Sequence, residues 1–220
     1  MNVTFGNGEC QITLKPKFKQ HVTTYIKNYA SETNKMMDIS GLWGMVNLAN
    51  KNYEAAVVSS MRRAKRNLSY VSFRIRIHNT GTQALEDYKL DFRVIGEVDS
   101  ISKDNITDDI RALISTGQLT RPTTYLNEVD MSGELEPHSN ILVGNNEFYS
   151  SDIFVKPAPN ATNLDLEWRL LSKHFRKEGI LKIIIETEIK YTTKQIDVND
   201  PNDEKTVLGA FEDFIEFLDK

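Results

Sequence analysis

The chain has 220 residues and a formal net charge of −4, with 40% hydrophobic and 26% charged residues, a single cysteine and a pI near 5.7. This balance is ordinary for a soluble globular protein; it excludes a disulfide framework and a thiolate metal site and argues against a dedicated nucleic-acid binder, while leaving room for a local basic patch. No apolar run approaches the roughly 18 residues of a membrane span, and the first ten residues lack the basic and apolar regions of a secretory signal, so a cytoplasmic, reducing home is expected.

After the Gly6-Asn7-Gly8 turn, Ile12, Leu14 and Phe18 alternate with Thr13, Lys15 and Lys17, the pattern of a strand, with Pro16 marking an edge or a strand end. From His21 the period changes. Val22, Tyr25, Ile26 and Tyr29 fall at helical spacing and predict about two to three turns of helix. Ser40 then caps a short helix with Leu42, Trp43 and Val46 on one side. Trp43 with Met36, Met37 and Met45 reads either as core packing or as an adaptable apolar docking surface for a partner protein. Tyr53, Val57, Met61, Ala64 and Leu68 fit a helix over 53–68; the alternative is a strand at Glu54–Ser59 whose hairpin turn carries Arg62, Arg63, Lys65 and Arg66. In either geometry those cations crowd together, as a solvated face or as a seat for a polyanion.

The clearest pattern begins at Ser69. Val71, Phe73, Ile75 and Ile77 alternate with Ser72, Arg74, Arg76 and His78, and Tyr88, Leu90, Phe92 and Val94 alternate with Lys89, Asp91 and Arg93. These are two half-buried strands, and Asn79-Thr80-Gly81 reads as the tight hairpin connection between them. Arg74 and Arg76, on the wet side, extend the candidate polyanion surface. Asp104, Ile106, Ile110, Leu113 and Ile114 predict a helical insertion over about 104–116, stopped by Gly117. Strands follow at Ile141–Val143, Ser151–Lys156, Leu164–Leu170 with Trp168 on its buried side, and Ile180–Tyr191. Beyond the Asp200-Pro201-Asn202-Asp203 break, Val207, Phe211, Phe214, Ile215 and Leu218 recur at helical spacing among acidic residues. They predict a carboxy-terminal amphipathic helix, with Phe211 and Phe214 as candidate partner contacts.

The series Arg76-Ile77-His78-Asn79-Thr80-Gly81-Thr82, Tyr88-Lys89-Leu90, Leu135-Glu136-Pro137, Trp168 and Glu178-Gly179-Ile180 resembles the bacterial and archaeal immunoglobulin-like repeats with an Asn-Thr-Gly loop, related to fibronectin type III and CARDB-type domains. The resemblance covers roughly residues 69–198. It implies a mainly β, immunoglobulin-like antiparallel sandwich and a binding or spacer role, in a bacterial protein or assembly. The expected organisation is a strand and helical segment over 1–68 packed on the sandwich, the sandwich with its helical insertion over 69–198, and a linker and helix over 199–220.

No dinucleotide fingerprint, phosphate loop, nucleophile elbow or zinc-protease pair is present, and no cofactor is called for. His21, His78, His138 and His174 lack metal-ligand spacing, and Cys10 reads as a small buried hydrophobe rather than a nucleophile. The expected function is therefore a non-catalytic, soluble interaction module that recognises another protein. Polyanion or nucleic-acid binding through residues 62–66 is the alternative, and an enzyme built from scattered residues the third reading.

Overall fold

The computed structural model describes residues 1–27, 65–106 and 123–217. The first stretch holds β1 (Asn2–Phe5), β2 (Gln11–Leu14) and β3 (Lys17–Lys27). The second holds β4 (Lys65–Asn67), β5 (Val71–Phe73), β6 (Ile75–His78), β7 (Leu85–Glu86), β8 (Lys89–Gly96) and β9 (Val98–Ser102). The third holds β10 (Thr124–Asn127), β11 (Ser132–Leu135), β12 (Ile141–Leu142), β13 (Glu147–Tyr149), β14 (Ile153–Pro157), β15 (Asn163–Leu171), β16 (Arg176–Ile185), β17 (Glu188–Val198), β18 (Lys205–Asp213) and β19 (Ile215–Phe217).

Two layers form the sandwich. In one, β1 pairs with β6, β13 and β14 follow on its other side against β6 and β5, and β9 closes the edge on β14. In the other, the order is β10-β11-β8-β15-β16-β2. Lettered in chain order, the first layer is A-B-E-D and the second contains C-F-G, the strand arrangement of an immunoglobulin-like sandwich, with the β10-β11 hairpin added at the C edge. The first strand is split between layers, as β1 runs antiparallel to β6 while β2 runs parallel to β16.

Alternation explains the core. Phe5, Phe73, Ile75, Ile77, Ile153 and Val155 of one layer meet Leu90, Phe92, Leu166, Trp168, Leu181 and Ile183 of the other, all buried. Phe5 and Phe73 meet edge to face with centroids 5.7 Å apart. Along one inward row of the larger sheet the order is Gly133, Phe92, Trp168, Gly179. A Cβ on Gly133 would lie 2.5 Å from Phe92, and one on Gly179 2.6 Å from Trp168, so the two rings lie flat over the glycines beside them. Large side chains and bare backbone thus share one row without a void.

The Asn79 connection differs from the expected hairpin. β6 belongs to one layer and β8 to the other, so Asn79-Thr80-Gly81 begins an arch across the sandwich. Asn79 is buried at 3% exposure and organises that arch. Its Nδ2 donates to the carbonyls of Gln83 and Leu142, both at 2.8 Å, and its Oδ1 accepts from the Gly81 N–H at 3.1 Å. Its backbone N–H donates to Asn146 and its carbonyl accepts from Asn145.

The expected helices are corrected as well. Among the described residues the only helical element is a 3₁₀ turn at Pro201–Asp203. The amino-terminal helix expected from His21 is instead β3. Val22, Thr23, Thr24, Tyr25 and Ile26 are successive strand formers, and their helical spacing arises because apolar groups stand on both faces of one strand. The carboxy-terminal helix is β18 and β19. A bulge between Leu208 and Phe211 inserts one residue, so Val207 and Phe211 fall on opposite faces of one strand although their spacing of four is one a helix would give. Of the inserted helix, Asp104 through Ile106 form an Asx turn, with the Ile106 N–H on Asp104 Oδ1 at 3.3 Å, and Ile106 bridges Arg66; residues 107–116 lie outside the described residues. So does the capped helix at Ser40. Of 53–68, Lys65–Asn67 is strand and 53–64 lies outside the described residues.

Substituting Asn79→Ala removes three hydrogen bonds and strands the buried Leu142 carbonyl, so urea unfolding should show a loss of about 2–4 kcal/mol with an unchanged m-value.

Candidate functional site

Two strands of the sandwich continue past its edge. Beyond Pro16, β2 becomes β3, and β16 becomes β17; the parallel ladder passes the bend through the Glu186 N–H on the Leu14 carbonyl and the Glu188 N–H on the Pro16 carbonyl, both 2.9 Å. β17 then pairs with β3 from Glu188–Lys17 to Val198–Lys27, and β18 returns antiparallel on the other side of β3. The result is a three-stranded arm, most of whose residues are exposed.

The joint between arm and sandwich is polar and closed. Ser69, fully buried, donates from Oγ to the Lys17 carbonyl at 2.7 Å and accepts the Phe214 N–H at 3.0 Å. Asn67 accepts the Ser69 N–H on Oδ1 and donates from Nδ2 to Asp213, whose other carboxylate oxygen takes Lys156 at 2.6 Å. Inside the arm, Gln20 donates to the Gly209 carbonyl at 3.0 Å and so fills the β18 bulge.

Register gives the arm two unlike faces. On one, the rows are Tyr191-Gln20-Phe211, Thr193-Val22-Leu208 and Gln195-Thr24-Thr206. Leu208 is 62% exposed, Tyr191 57% and Phe211 41%, so three large side chains stand in adjacent rows open to water. No lysine, arginine or histidine shares their face among the described residues of these strands. On the other face stand Lys17, Lys19, His21, Tyr25, Lys190, Lys194 and Lys205. Glu188 pairs with Lys17 at 3.0 Å and Glu212 approaches His21 at 3.3 Å. The Phe214 ring lies beneath Lys19 and Lys190, at 5.0 and 5.4 Å, and Lys205 lies over Tyr25 at 5.3 Å.

The candidates from sequence are spread over this geometry. Phe211 belongs to the apolar face and Phe214 to the foot of the cationic one. Lys65 and Arg66 lie on β4 at the arm's base, Lys65 over the Phe217 ring at 5.6 Å. Arg74 and Arg76 sit on the sandwich and are already engaged. Arg74 makes a two-pronged contact with Asp152 at 2.7 and 3.1 Å, and Arg76 pairs with Glu147, which also takes the Tyr149 hydroxyl at 2.7 Å. Met36, Met37, Trp43, Met45, Arg62 and Arg63 lie outside the described residues. Tyr191, Leu208 and the lysines of the arm were missed in the sequence, where they sit on segments far apart in the chain.

On the sandwich several exposed charges meet partners of opposite sign. The outer side of the larger sheet forms an open concavity of about 760 Å³, in which Asp91 pairs across strands with Arg169 at 2.8 Å. Lys182–Asp165 beside it, also at 2.8 Å, does the same. Cys10 is exposed rather than buried. Among the described residues no group of three or more His, Cys, Asp and Glu side chains is placed to hold a metal ion, and no helix is long and apolar enough to cross a membrane.

Two measurements check this electrostatic and structural reading. The Arg76 guanidinium, helped by the Tyr149 hydroxyl, lowers the Glu147 carboxyl from 4.5 to about 2. A carboxyl held down in the folded state stabilises it above the ordinary carboxylate range and loses that effect as pH falls from about 4.5 toward 2. The parent protein should therefore lose more stability over that window than Glu147→Gln does, in melts run at each pH. Replacing Ser69→Ala should speed hydrogen exchange at the Phe214 and Leu68 amides while the Leu166 and Ile183 amides keep their protection.

The sequence matches no protein-family model, and no curated protein matches it. Among solved structures it is similar to the collagen-binding domain of a Staphylococcus aureus adhesin, at 7% identity and a TM-score of 0.33 over 52% of this chain and 87% of that one. It is also similar to the CooA pilin subunit of enterotoxigenic Escherichia coli, at 7% identity and 0.27 over 86% and 97%. A GH20 exo-β-N-acetylglucosaminidase from Vibrio harveyi aligns at 12% identity and 0.23, over 77% of this chain and 18% of that one. At these scores the likenesses carry no argument about chemistry or partners; the sandwich rests on its own strand order.

Proposed function

We propose that the protein is a non-catalytic interaction module in which an immunoglobulin-like sandwich holds out a β-arm, and that the apolar face of this arm docks on another protein. The observation that carries the reading is the exposed set Tyr191, Leu208 and Phe211 in adjacent rows, backed by Val22. Aromatic and aliphatic anchors ringed by uncharged polar groups are what the centre of a protein interface needs. Here Thr24, Thr193, Gln195 and Thr206 supply that rim, and Gln20, buried between Tyr191 and Phe211, is satisfied by the Gly209 carbonyl. Among the described residues of these strands no unpaired cation stands on this face, which removes the desolvation cost that a buried, unpaired lysine would impose on an apolar partner.

The arm suits the task because its shape is fixed before binding. A register set on both sides of β3 and a base closed by Ser69 leave little backbone freedom to lose on association. The family resemblance, with its binding or spacer role, agrees with this reading, as does the absence of enzyme motifs from the sequence.

The test uses the full chain as bait, with Leu208→Asp and Phe211→Asp as variants. Parent protein should enrich a partner protein whose affinity drops at least tenfold with either variant, while both variants melt within a few degrees of the parent. A complex that ignores both substitutions removes the apolar face as the docking site. Self-association alone, lost in the variants by light scattering, overturns a partner of different sequence.

A further inference from the structure

The opposite face of the arm has a different chemistry. Lys19, Lys190, Lys194 and Lys205 project from it, and among the described residues no carboxylate pairs with any of them. They come from three strands that register brings together. Lys190 stands directly across from Lys19, Lys194 lies four residues farther along β17 at about 13 Å, and Lys205 stands across from Tyr25. The two carboxylates of this face, Glu188 and Glu212, are engaged by Lys17 and His21. A protein of net charge −4 thus carries a strip about 20 Å long in which lysines outnumber carboxylates, Glu212 standing across from Lys19 in the register while its carboxylate meets His21.

We infer that this strip binds the backbone of single-stranded nucleic acid. Four lysines spaced along extended strands match a chain that presents one charge per nucleotide, and among the described residues of these strands the face has no arginine fork with which to read base edges. Two rings belong to the same strip, Phe214 at its foot and Tyr25 toward its tip, each beneath a lysine ammonium. Both rings are half-buried, and when an ammonium swings to a phosphate the ring face it covered can take a base, stacking of this kind tolerating any base. Thr23 and Thr192, neighbours of these lysines on the same face, add neutral hydroxyl donors between the charges. An acidic peptide would use the lysines but leave both rings unused.

The inference is independent of protein docking on the other face. Fluorescence anisotropy of a labelled mixed-sequence 12-nucleotide DNA with the full chain should show binding at low salt that weakens about fifty-fold between 50 and 200 mM, from roughly 0.7 counterions released at each of four phosphate contacts. The pair Lys190→Gln with Lys194→Gln should weaken binding at least tenfold and halve the salt slope, with an unchanged melting curve. Tyr25→Leu should weaken DNA binding about five- to fifty-fold while leaving heparin binding unchanged, which separates stacking from charge. Leu208→Asp should leave DNA binding intact. No binding at 20 mM salt overturns the inference, as does equal loss of heparin and DNA binding in Tyr25→Leu, or binding unaffected by the lysine substitutions. Preference for vesicles of anionic lipid over DNA at equal charge also overturns it.

Discussion

The parallel ladder that β2 and β3 form with β16 and β17 is the constraint on which the rest depends. It has four residue pairs in the sandwich and eleven in the arm, joined across the Pro16 bend. Parallel strands cannot be linked by a short turn, so the pairing brings together segments far apart in the chain, about 170 residues in this case. Inside the sandwich, β2 closes the edge of the larger sheet beside β16. Outside it, no second layer packs on the same two strands among the described residues, and β18 on the far side of β3 supplies the remaining pairing. One ladder therefore both completes the scaffold and creates the surface that the scaffold presents.

The sandwich was legible where one face of a strand is core and the other is water. Ile75 and Ile77, Leu90 to Val94, and Leu164 to Leu170 alternate cleanly because each faces a dry interior, and period two then survives in the sequence. The path of the chain was less legible. Asn79-Thr80-Gly81 has the composition of a hairpin turn, but the Asn79 amide uses its donors on Gln83 and on Leu142, a strand distant in sequence, and so spans layers. Turn chemistry specifies a reversal; it does not specify which sheet receives the chain afterwards.

The arm was misread for two physical reasons. A strand with apolar groups on both faces loses the simple alternation, and a bulge resets it, so Val22, Tyr25 and Ile26, like Val207 and Phe211, fall at spacings a helix would give. Its site was illegible for a further one. Lys19, Lys190 and Lys205 are unremarkable residues in three separate segments, and only register places them on one face with Tyr25 and Phe214. The basic run visible in the sequence reaches the described structure only as Lys65 and Arg66, at the foot of this same arm.

Charge arrangement separates scaffold from working surface more clearly than charge number does. On the sandwich, Arg74, Arg76, Arg169 and Lys182 each meet a carboxylate, and such exposed pairs add little stability individually while cancelling the field around them. On the arm the charges are arranged by face instead: among the described residues of its strands one side has apolar groups and no cation, while the other has the lysines, three of them over rings, together with Glu188 and Glu212, which Lys17 and His21 engage. A solvated strand needs no such sorting, because alternating lysines and threonines on both faces would keep it soluble equally well. Keeping large apolar groups exposed on one side carries an aggregation cost that a purely structural extension could avoid by placing lysines there. The segregation is explained when each face has its own partner chemistry, and the rigid joint at Ser69 then holds both faces in a fixed relation to the sandwich.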